Sequence, residues 1–393
     1  MSWPAVIWSG TSRGRRDARL MSTYRPTWVE IDLDAIGHNV EVLGKLVAPA
    51  ALMAVVKADA YGHGAVPVAL AALRAGAAAL GVALVEEGVE LRDAGVEVPI
   101  LVLSEPATEA APEVVARRLT PVVYTEVGID ALAKSVADQG ADPLGVHLKV
   151  DTGMHRVGAP PERVGALAER IDAHSELTLE GVCTHLAVAD ERDSGYSERQ
   201  LEAFRLAREA LAAAGVGWRV THAANSAGAI NFPESRFDVV RLGIAVYGVT
   251  PAPGVGADLG LRPALSLRSR VSHVKRVPAG ERISYGLRYE LAGDATIATV
   301  PIGYADGVPR NLGSTGAEVL LHGRRVPIAG TVTMDQLMLD VGDLPVAPGD
   351  VVTLIGTDGE ARVTAEEWAD RMATIGYEIV CGIGPRVPRE YRK

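Results

Sequence analysis

The chain has 393 residues, 48% of them hydrophobic and 22% charged, which is typical of a folded protein with at least one large core. Its net charge of −10 argues against a nucleic-acid partner or an anionic membrane surface, and no apolar run approaches the roughly 18 residues of a membrane-spanning helix. The two cysteines, Cys183 and Cys381, are too few for a disulfide framework. We expect both to be small buried side chains in a cytoplasmic protein.

Residues 1–23 differ from the rest of the chain. The stretch SRGRRDAR (12–19) is basic and loop-like, and the apolar AVIW before it is too short for the core of a signal peptide. Met21 follows directly, and the first convincing strand begins only at Thr27. We interpret residues 1–23 as a disordered extension or as the product of a start site assigned too far upstream.

From Thr27 to about Gly248, short β-rich runs alternate with helical patterns such as residues 197–215. Most runs are continuously apolar, as in parallel strands buried on both faces. This alternation predicts an α/β fold, either a TIM-like (β/α)8 barrel or a doubly wound sheet. Nine strand candidates exceed the eight of a barrel, so we expect the first to belong to another sheet. The candidates are 27–33, 51–57, 79–84, 99–104, 120–125, 144–151, 177–187, 219–225 and 237–248.

After Arg262 the pattern changes to alternating polar and apolar residues interrupted by turns such as PAGE and APGD. A period of two with frequent turns predicts a mostly antiparallel β domain. The boundary falls in the Gly- and Pro-rich stretch TPAPGVGADLGLRP (250–263). We therefore expect a barrel domain over residues 24–255 and a β domain over residues 256–393.

Several polar residues stand at the carboxyl ends of the predicted barrel strands. The apolar run ALMAVV ends on Lys57, and a buried ammonium group is costly unless it is paired or gives up its proton. Catalytic groups of barrels lie at this end of the strands, so one surface would collect several candidates. The others are Lys149, Asp151, Arg156, His185, Asn225 and Ser226.

Eight motifs resemble those of the alanine racemases that depend on pyridoxal 5′-phosphate. In chain order they are VVKADAYGHG, KVDTGMHRVG, THLAVAD, HAANSAG, VVRLGIAVYG, ISYGLRY, IGYADG and TMDQLMLD. The resemblance runs from about Trp28 to Tyr391 and therefore covers both predicted domains. It implies pyridoxal 5′-phosphate as cofactor, no metal, and a homodimer with shared active sites.

The resemblance implies that Lys57 and Tyr285 are the two catalytic bases. Lys57 matches the lysine that forms the Schiff base with the cofactor, and burial lowers the pKa of such an amine. Racemisation removes a proton from one face of the α-carbon and delivers one to the other, which two bases can divide. In the family the lysine serves the D-enantiomer, and a tyrosine of the partner subunit serves the L-enantiomer. Tyr289 is the local competitor for this role.

Further residues match the cofactor contacts of the family. Arg241, inside an apolar strand, matches the arginine at the pyridine nitrogen; a guanidinium donates a hydrogen bond there but does not readily give up a proton. His222 stands behind it, and His185 matches the imidazole on the cofactor ring. The phosphate and adjoining cofactor contacts correspond to Tyr61, Asn225, Ser226, Gly243, Ile244 and Tyr377. The residues alone leave open an N-cap role for Ser226 and core packing for both tyrosines.

The remaining matches concern substrate and access. Arg156 corresponds to the arginine that holds the cofactor's phenolic oxygen and the substrate carboxylate, and Met334 to a partner-side contact with that carboxylate. Lys149 matches a lysine that is carbamylated in many members, and we predict the same modification here. The other partner-side and access-channel positions correspond to Tyr304, Asp306, Arg310 and Asp335.

These matches predict a racemase that interconverts L- and D-alanine and supplies D-alanine for peptidoglycan. A racemase for serine, lysine or a broad range of amino acids is the first alternative, because substrate breadth depends on channel shape. A decarboxylase of the same architecture is disfavoured, since such enzymes set a carboxylate against the pyridine nitrogen where this chain has Arg241. A cofactor-binding protein without activity would resemble the first domain only.

Overall fold

The computed structural model describes residues 24–393, so the predicted extension over residues 1–23 lies outside the described part of the chain. The strands are β1 (Thr27–Asp32), β2 (Ala51–Val55), β3 (Ala79–Val82), β4 (Ile100–Val102), β5 (Thr120–Val123), β6 (Leu144–Lys149), β7 (Leu177–Cys183), β8 (Val220–His222), β9 (Val239–Leu242), β10 (Leu265–Arg270), β11 (His273–Val277), β12 (Arg282–Ile283), β13 (Tyr289–Glu290), β14 (Ala295–Val300), β15 (Glu318–Leu321), β16 (Arg324–Pro327), β17 (Leu337–Gly342), β18 (Val351–Asp358), β19 (Ala361–Val363) and β20 (Arg389–Arg392). The helices are α1 (Leu33–Val47), α2 (Lys57–Gly62), α3 (Ala65–Arg74), α4 (Val85–Asp93), α5 (Ala111–Ala116), α6 (Glu126–Gln139), α7 (Val164–Asp172), α8 (Tyr196–Ala213), α9 (Ser226–Asn231), α10 (Ala365–Met372) and α11 (Gly376–Cys381).

Strands β2 to β9 form one parallel sheet in which each strand pairs with the next as far as β8, and β9 returns to pair with β2. The seam between β8 and β9 is joined by two backbone hydrogen bonds. The N–H of Asp238 donates to the carbonyl of Thr221 (3.1 Å), and that of Arg241 to the carbonyl of Ala224 (3.0 Å). The predicted TIM-like barrel is confirmed.

Strand β1 lies in a different sheet. This sheet has seven strands, and β1 pairs antiparallel with β10 and parallel with β20. The rest of the C-terminal region contains the three-stranded antiparallel sheet β11-β14-β17 and the hairpin β12-β13. The region after the barrel is mostly antiparallel, as predicted, and the first of the nine strand candidates belongs to it.

Helix α1 connects the two parts of the molecule. Asp32 caps its N-terminus by accepting a hydrogen bond from the N–H of Ala35 (2.8 Å), which satisfies one of the free donors of the first turn. The buried amide of Asn39 donates to the carbonyls of Val246 (3.0 Å) and Arg262 (2.8 Å), and its oxygen accepts from the N–H of Arg262 (2.8 Å). This side chain ties α1 to both ends of the segment that leaves the barrel.

The barrel strands end earlier than the apolar runs predicted. The run over residues 177–187 is a strand only to Cys183, and the run over 237–248 only to Leu242. Beyond these points the chain turns out of the sheet at the carboxyl end of the barrel. In residues 24–393, no helix combines the length and the apolar character needed to cross a membrane.

Candidate active site

A cavity of about 680 Å³ opens at the carboxyl ends of the barrel strands. Its walls come from the ends of β2, β4, β6, β7, β8 and β9 and from α11 of the C-terminal region. Side chains from segments far apart in the sequence meet here, as expected for the functional face of a barrel. The predicted residues that line it are Lys57, Tyr61, Lys149, Arg156, His185, His222, Asn225, Ser226, Arg241, Gly243, Ile244 and Tyr377.

Lys57 stands at the start of a turn of unusual handedness. The four residues Ala58–Tyr61 have φ near +50° and form one turn of left-handed helix. For L-residues this costs roughly 1–2 kcal/mol per residue, so the surrounding structure must hold it. The carboxylate of Glu87 does so, because it accepts hydrogen bonds from the N–H of Ala58 (2.6 Å) and the N–H of Ala83 (2.8 Å).

The pKa of the Lys57 amine is lowered from its usual value. Burial lowers its pKa, and the nearby cation Arg156 lowers it further, against an opposing effect of Glu87. Both effects disfavour the charged ammonium form and increase the fraction of free amine. A lysine with these properties at the floor of a cavity is a nucleophile for a carbonyl compound.

Beside Lys57, backbone and hydroxyl groups form a cup that fits an anion. Within residues 24–393 the N–H of Ile244 donates to no protein acceptor, whereas the N–H of Gly243 donates to Ser226 Oγ (3.0 Å). Ser226 is 3% exposed, and its hydroxyl hydrogen is free to point into the cup. A Cβ on Gly243 would lie 2.4 Å from the hydroxyl of Tyr61, so only glycine allows this tyrosine to approach.

The helix behind the cup is capped by Asn225 and not by Ser226. The Asn225 side-chain oxygen accepts from the N–H of Gly228 (2.8 Å). The N-cap alternative for Ser226 is therefore wrong. Tyr61 and Tyr377 are mostly buried, yet both line the cavity, and burial raises the pKa of each phenol.

Arg241 is 6% exposed and is held by four hydrogen bonds. Its Nη1 donates to His222 Nδ1 (2.6 Å). The two hydrogens of its Nη2 are shared among three acceptors, the carbonyls of Thr184 (2.9 Å) and Ala223 (2.8 Å) and His185 Nδ1 (3.0 Å). Burial, and then the charge of Arg241, lower the pKa of both histidines well below the usual value, so both are neutral acceptors.

Lys149 and Arg156 also line the cavity. Lys149 is 7% exposed, and burial together with the Arg241 and Arg156 cations lowers its pKa to about 8, although Cys183 acts in the opposite sense. Neither residue forms an ion pair within the described part of the chain, although the Asp151 carboxylate acts on Lys149 to raise its pKa. Two cations without an ion-paired carboxylate leave this part of the cavity with an excess of positive charge.

Five of the other predicted residues lie in a second, exposed groove of about 660 Å³ on the C-terminal region. Tyr285 is 70% exposed and Met334 52% exposed, and the groove shares no lining residue with the Lys57 cavity. The predicted residues in its lining are Tyr285, Tyr304, Arg310, Met334 and Asp335.

Asp306 lies in neither space. Its side chain is buried and forms ion pairs with Arg25 (2.8 Å) and Arg386 (3.3 Å), and Arg386 also pairs with Asp335 (2.7 Å). This network joins the loop after β14 to the loop that carries Met334. The position of Asp306 indicates a structural role behind the groove rather than contact with an incoming molecule.

Sequence reasoning assigned no role in the site to several residues at or beside the cavity. Ile375, Glu378 and Cys381 reach it from the segment around α11, and Glu87 supports the turn after Lys57. The expectation that Cys381 is buried is wrong, whereas Cys183 is buried as expected. Glu87 lies in the first turn of α4, where a glutamate often accepts from free backbone donors.

The fold and the cavity define an enzyme of the barrel class with an activated lysine beside an anion-binding cup. Among residues 24–393 there is no group of three or more His, Cys, Asp or Glu arranged to hold a metal. A family model described as the alanine racemase N-terminal domain matches residues 31–251, and one described as the C-terminal domain matches residues 264–391. The chain therefore belongs to the alanine racemase family, and it is a pyridoxal phosphate-dependent racemase, an isomerase.

Individual relatives agree with the family models. An alanine racemase of Symbiobacterium thermophilum is 51% identical over 369 residues, covering 93% of this chain and 97% of that protein. The crystal structure of alanine racemase from D-cycloserine producing Streptomyces lavendulae has a TM-score of 0.90 at 41% identity, covering 94% of this chain and 98% of that one. A histidine racemase of Leuconostoc mesenteroides has a TM-score of 0.87 at 32% identity, covering 95% and 99%.

Proposed function

We propose that this protein interconverts L- and D-alanine with two bases, Lys57 and Tyr285, on pyridoxal 5′-phosphate, in a homodimer whose subunits share their sites. The observation that carries the proposal is the lysine of lowered pKa beside an anion cup and opposite a buried arginine. These three features match the aldehyde, the phosphate and the pyridine nitrogen of this cofactor.

The residues present fit the cofactor. The free N–H of Ile244 and the hydroxyls of Ser226 and Tyr61 would hold its phosphate, and Tyr377 closes the cup from α11. When bound, the cofactor withdraws electrons from the α-carbon of an attached amino acid and so makes the α-proton acidic. Arg241 would donate a hydrogen bond to the ring nitrogen without giving up a proton, since a guanidinium remains charged.

Lys57 and Tyr285 would act on opposite faces of the α-carbon. Lys57 removes or returns the proton on one face, because burial and Arg156 keep a fraction of its amine free. Tyr285 lies in the separate groove, 70% exposed, so a second subunit must bring this groove over the cavity. The two separate half-sites support the homodimer.

Arg156 and Met334 would hold the substrate carboxylate from the two sides. Arg156 lines the Lys57 cavity and offers a planar pair of donors suited to a carboxylate. Met334 lines the groove, where its backbone would contribute from the partner subunit. Tyr304, Arg310 and Asp335 would form the adjoining access channel.

Lys149 supports a further part of the proposal, its carbamylation. With a pKa of about 8, its neutral Nζ attacks the carbon of carbon dioxide, an N–C bond forms, and one proton leaves to solvent. The resulting carbamate anion would lie between Arg241 and Arg156 and balance their charge. We expect a ¹³C NMR carbamate signal from protein equilibrated with ¹³C-bicarbonate, absent in Lys149→Ala. The same spectrum in both proteins would contradict this.

Alanine is the substrate that the family match favours. The histidine racemase with the same fold supports a second candidate, a racemase for larger amino acids, because substrate size depends on how the groove closes the cavity. The proposed role is supply of D-alanine for peptidoglycan in the cytoplasm.

The test is turnover in deuterated water. Purified protein with pyridoxal phosphate would receive L-alanine, and α-proton loss by NMR and D-alanine by chiral chromatography would be followed together. We expect both signals to rise in parallel, with serine, lysine and histidine as comparison substrates. Turnover of a comparison substrate but not of alanine would replace alanine as the proposed substrate. No α-proton exchange with alanine or any comparison substrate would overturn the proposed two-base reaction.

A further inference from the structure

Strand β6 places a second buried histidine directly behind the cavity. His147 is 5% exposed, and its Nδ1 lies 2.7 Å from His222 Nε2, with the ring centroids 5.0 Å apart. His222 Nδ1 in turn lies 2.6 Å from Nη1 of Arg241. Side chains from β6, β8 and β9 thus form one continuous chain of hydrogen bonds, and only its first two members, Arg241 and His222, line the cavity.

The direction of this chain follows from chemistry alone. A guanidinium has donors and no acceptor, so Arg241 must donate to His222 Nδ1. His222 then carries its proton on Nε2 and donates it to His147 Nδ1. An imidazolium at either position would turn an acceptor into a donor and break the chain.

The surrounding structure maintains both conditions. Burial, and then the charge of Arg241, hold the pKa of His147 at about 4 and that of His222 well below the usual value, so both rings are neutral. Gly181 on the neighbouring strand makes room for the ring, because a Cβ there would lie 2.6 Å from His147 Nδ1. The register between β6 and β7 also shifts between Val146 and His147.

We propose that His147 is a positioning residue for Arg241. By accepting the hydrogen bond from His222 (2.7 Å), it holds the His222 ring in the orientation in which Nδ1 accepts from Arg241. This inference deepens the proposed function and rests on it, because Arg241 is the group that would face the ring nitrogen of the cofactor.

Removing the acceptor has a definite consequence. Without His147, the Nε2–H of His222 is buried with no partner, and this cost is removed only if the ring turns to reach another acceptor. A turned ring no longer presents Nδ1 to Nη1 of Arg241. Arg241 then loses one of the hydrogen bonds that fix it, and its hydrogen bond toward the cofactor is weakened.

The experiment compares His147→Leu with His147→Asn in full-length protein labelled with ¹⁵N-histidine. The two substitutions have similar branched shapes, but only asparagine offers an acceptor where Nδ1 was. We expect the ¹⁵N shift of His222 Nδ1 to be that of an acceptor bonded to Arg241 in wild type and His147→Asn, and that of an acceptor without this bond in His147→Leu. In protein loaded with ¹⁵N-pyridoxal phosphate, the pyridine nitrogen shift should change only in His147→Leu, with kcat/KM falling roughly ten- to hundred-fold, as for losses of outer hydrogen-bond partners elsewhere.

An unchanged His222 Nδ1 shift and pyridine shift in His147→Leu would overturn the proposal. If that variant does not fold, Gly181→Ala is the deciding variant, because its methyl group displaces the His147 ring without removing it. The same change in the Nδ1 shift is expected there, and wild-type shifts in a folded Gly181→Ala would overturn the proposal. The Nδ1 shift does not depend on turnover, so failure of the racemase assay with wild-type His222 shifts is distinguishable from loss of the His147–His222 hydrogen bond.

Discussion

The Lys57 cavity and the Tyr285 groove are held in opposite ways. In the cavity the side chains themselves are fixed, as the four hydrogen bonds of Arg241 show. In the groove the backbone is fixed and the side chains are exposed. Thr331 Oγ1 donates to the carbonyl of Tyr285 (3.0 Å), and the N–H of Tyr304 donates to the carbonyl of Thr333 (3.0 Å). The groove therefore presents uncovered side chains on a fixed backbone, whereas those of the cavity are enclosed.

The largest loss of activity is expected from a substitution of Lys57 in the cavity. Lys57→Ala removes both the nucleophile and one proposed base, so we expect D-alanine formation to fall by at least ~10⁴-fold. Covalent attachment of the cofactor, trapped by borohydride and located by mass spectrometry, should disappear with it. Lys45→Ala, at an exposed lysine, should leave both unchanged. Retained attachment in Lys57→Ala would place the nucleophile elsewhere.

Tyr285→Phe tests the groove side. Loss of the phenolic oxygen removes the second proposed base, and the racemisation rate should fall by ~10²–10⁴-fold while the cofactor stays bound. Tyr289→Phe is the matched control, because this hydroxyl donates to Asp340 (2.9 Å) and lies outside the groove. Equal losses in the two variants would remove the special role of Tyr285.

The anion cup can be tested with a single methyl group. Gly243→Ala places a Cβ 2.4 Å from the Tyr61 hydroxyl, so we expect the cofactor Kd to rise by about ten-fold or more. Gly165→Ala on α7 is the control, since no atom lies within 4 Å of its added Cβ. Fluorescence titration of the cofactor measures both. An unchanged Kd in Gly243→Ala would show that the cup is elsewhere.

The free energy of unfolding should also depend on pH, because of two buried histidines in the barrel. Burial lowers the native-state pKa of His63 and His147 from 6.5 to about 4. Between these values the unfolded chain binds protons that the native chain does not, so the free energy of unfolding falls as the pH falls below 6.5, by up to ~1.4 kcal/mol per pH unit for each histidine.

Urea denaturation at a series of pH values measures this slope. His63→Leu should reduce it, whereas His155→Gln, at a histidine with an 80% exposed side chain, should not. A His63→Leu variant with the wild-type slope would contradict the assignment of this dependence to the buried ring.

Most strands of the barrel could be predicted from the sequence, because continuous apolar runs are typical of buried parallel strands. It could not mark where each strand ends, since the residues after β7 and β9 are as apolar as the strands themselves. The motif resemblance located Lys57 and Arg241, but the left-handed turn at Ala58–Tyr61 has no local signal, because alanine and tyrosine seldom adopt that conformation. His147 and Glu87 act through contacts across the fold, which only the tertiary structure brings together.

Lys57 and Tyr285 of one working site should belong to different subunits, and subunit mixing measures this directly. Lys57→Ala and Tyr285→Phe proteins, each inactive alone, would be unfolded together, refolded with cofactor and assayed for D-alanine. We predict recovery of about a quarter of wild-type activity, because half of the randomly formed dimers are mixed and each of these has one intact site. No recovery in mixed dimers, verified by native mass spectrometry, would mean that both residues act within one chain and would contradict the account.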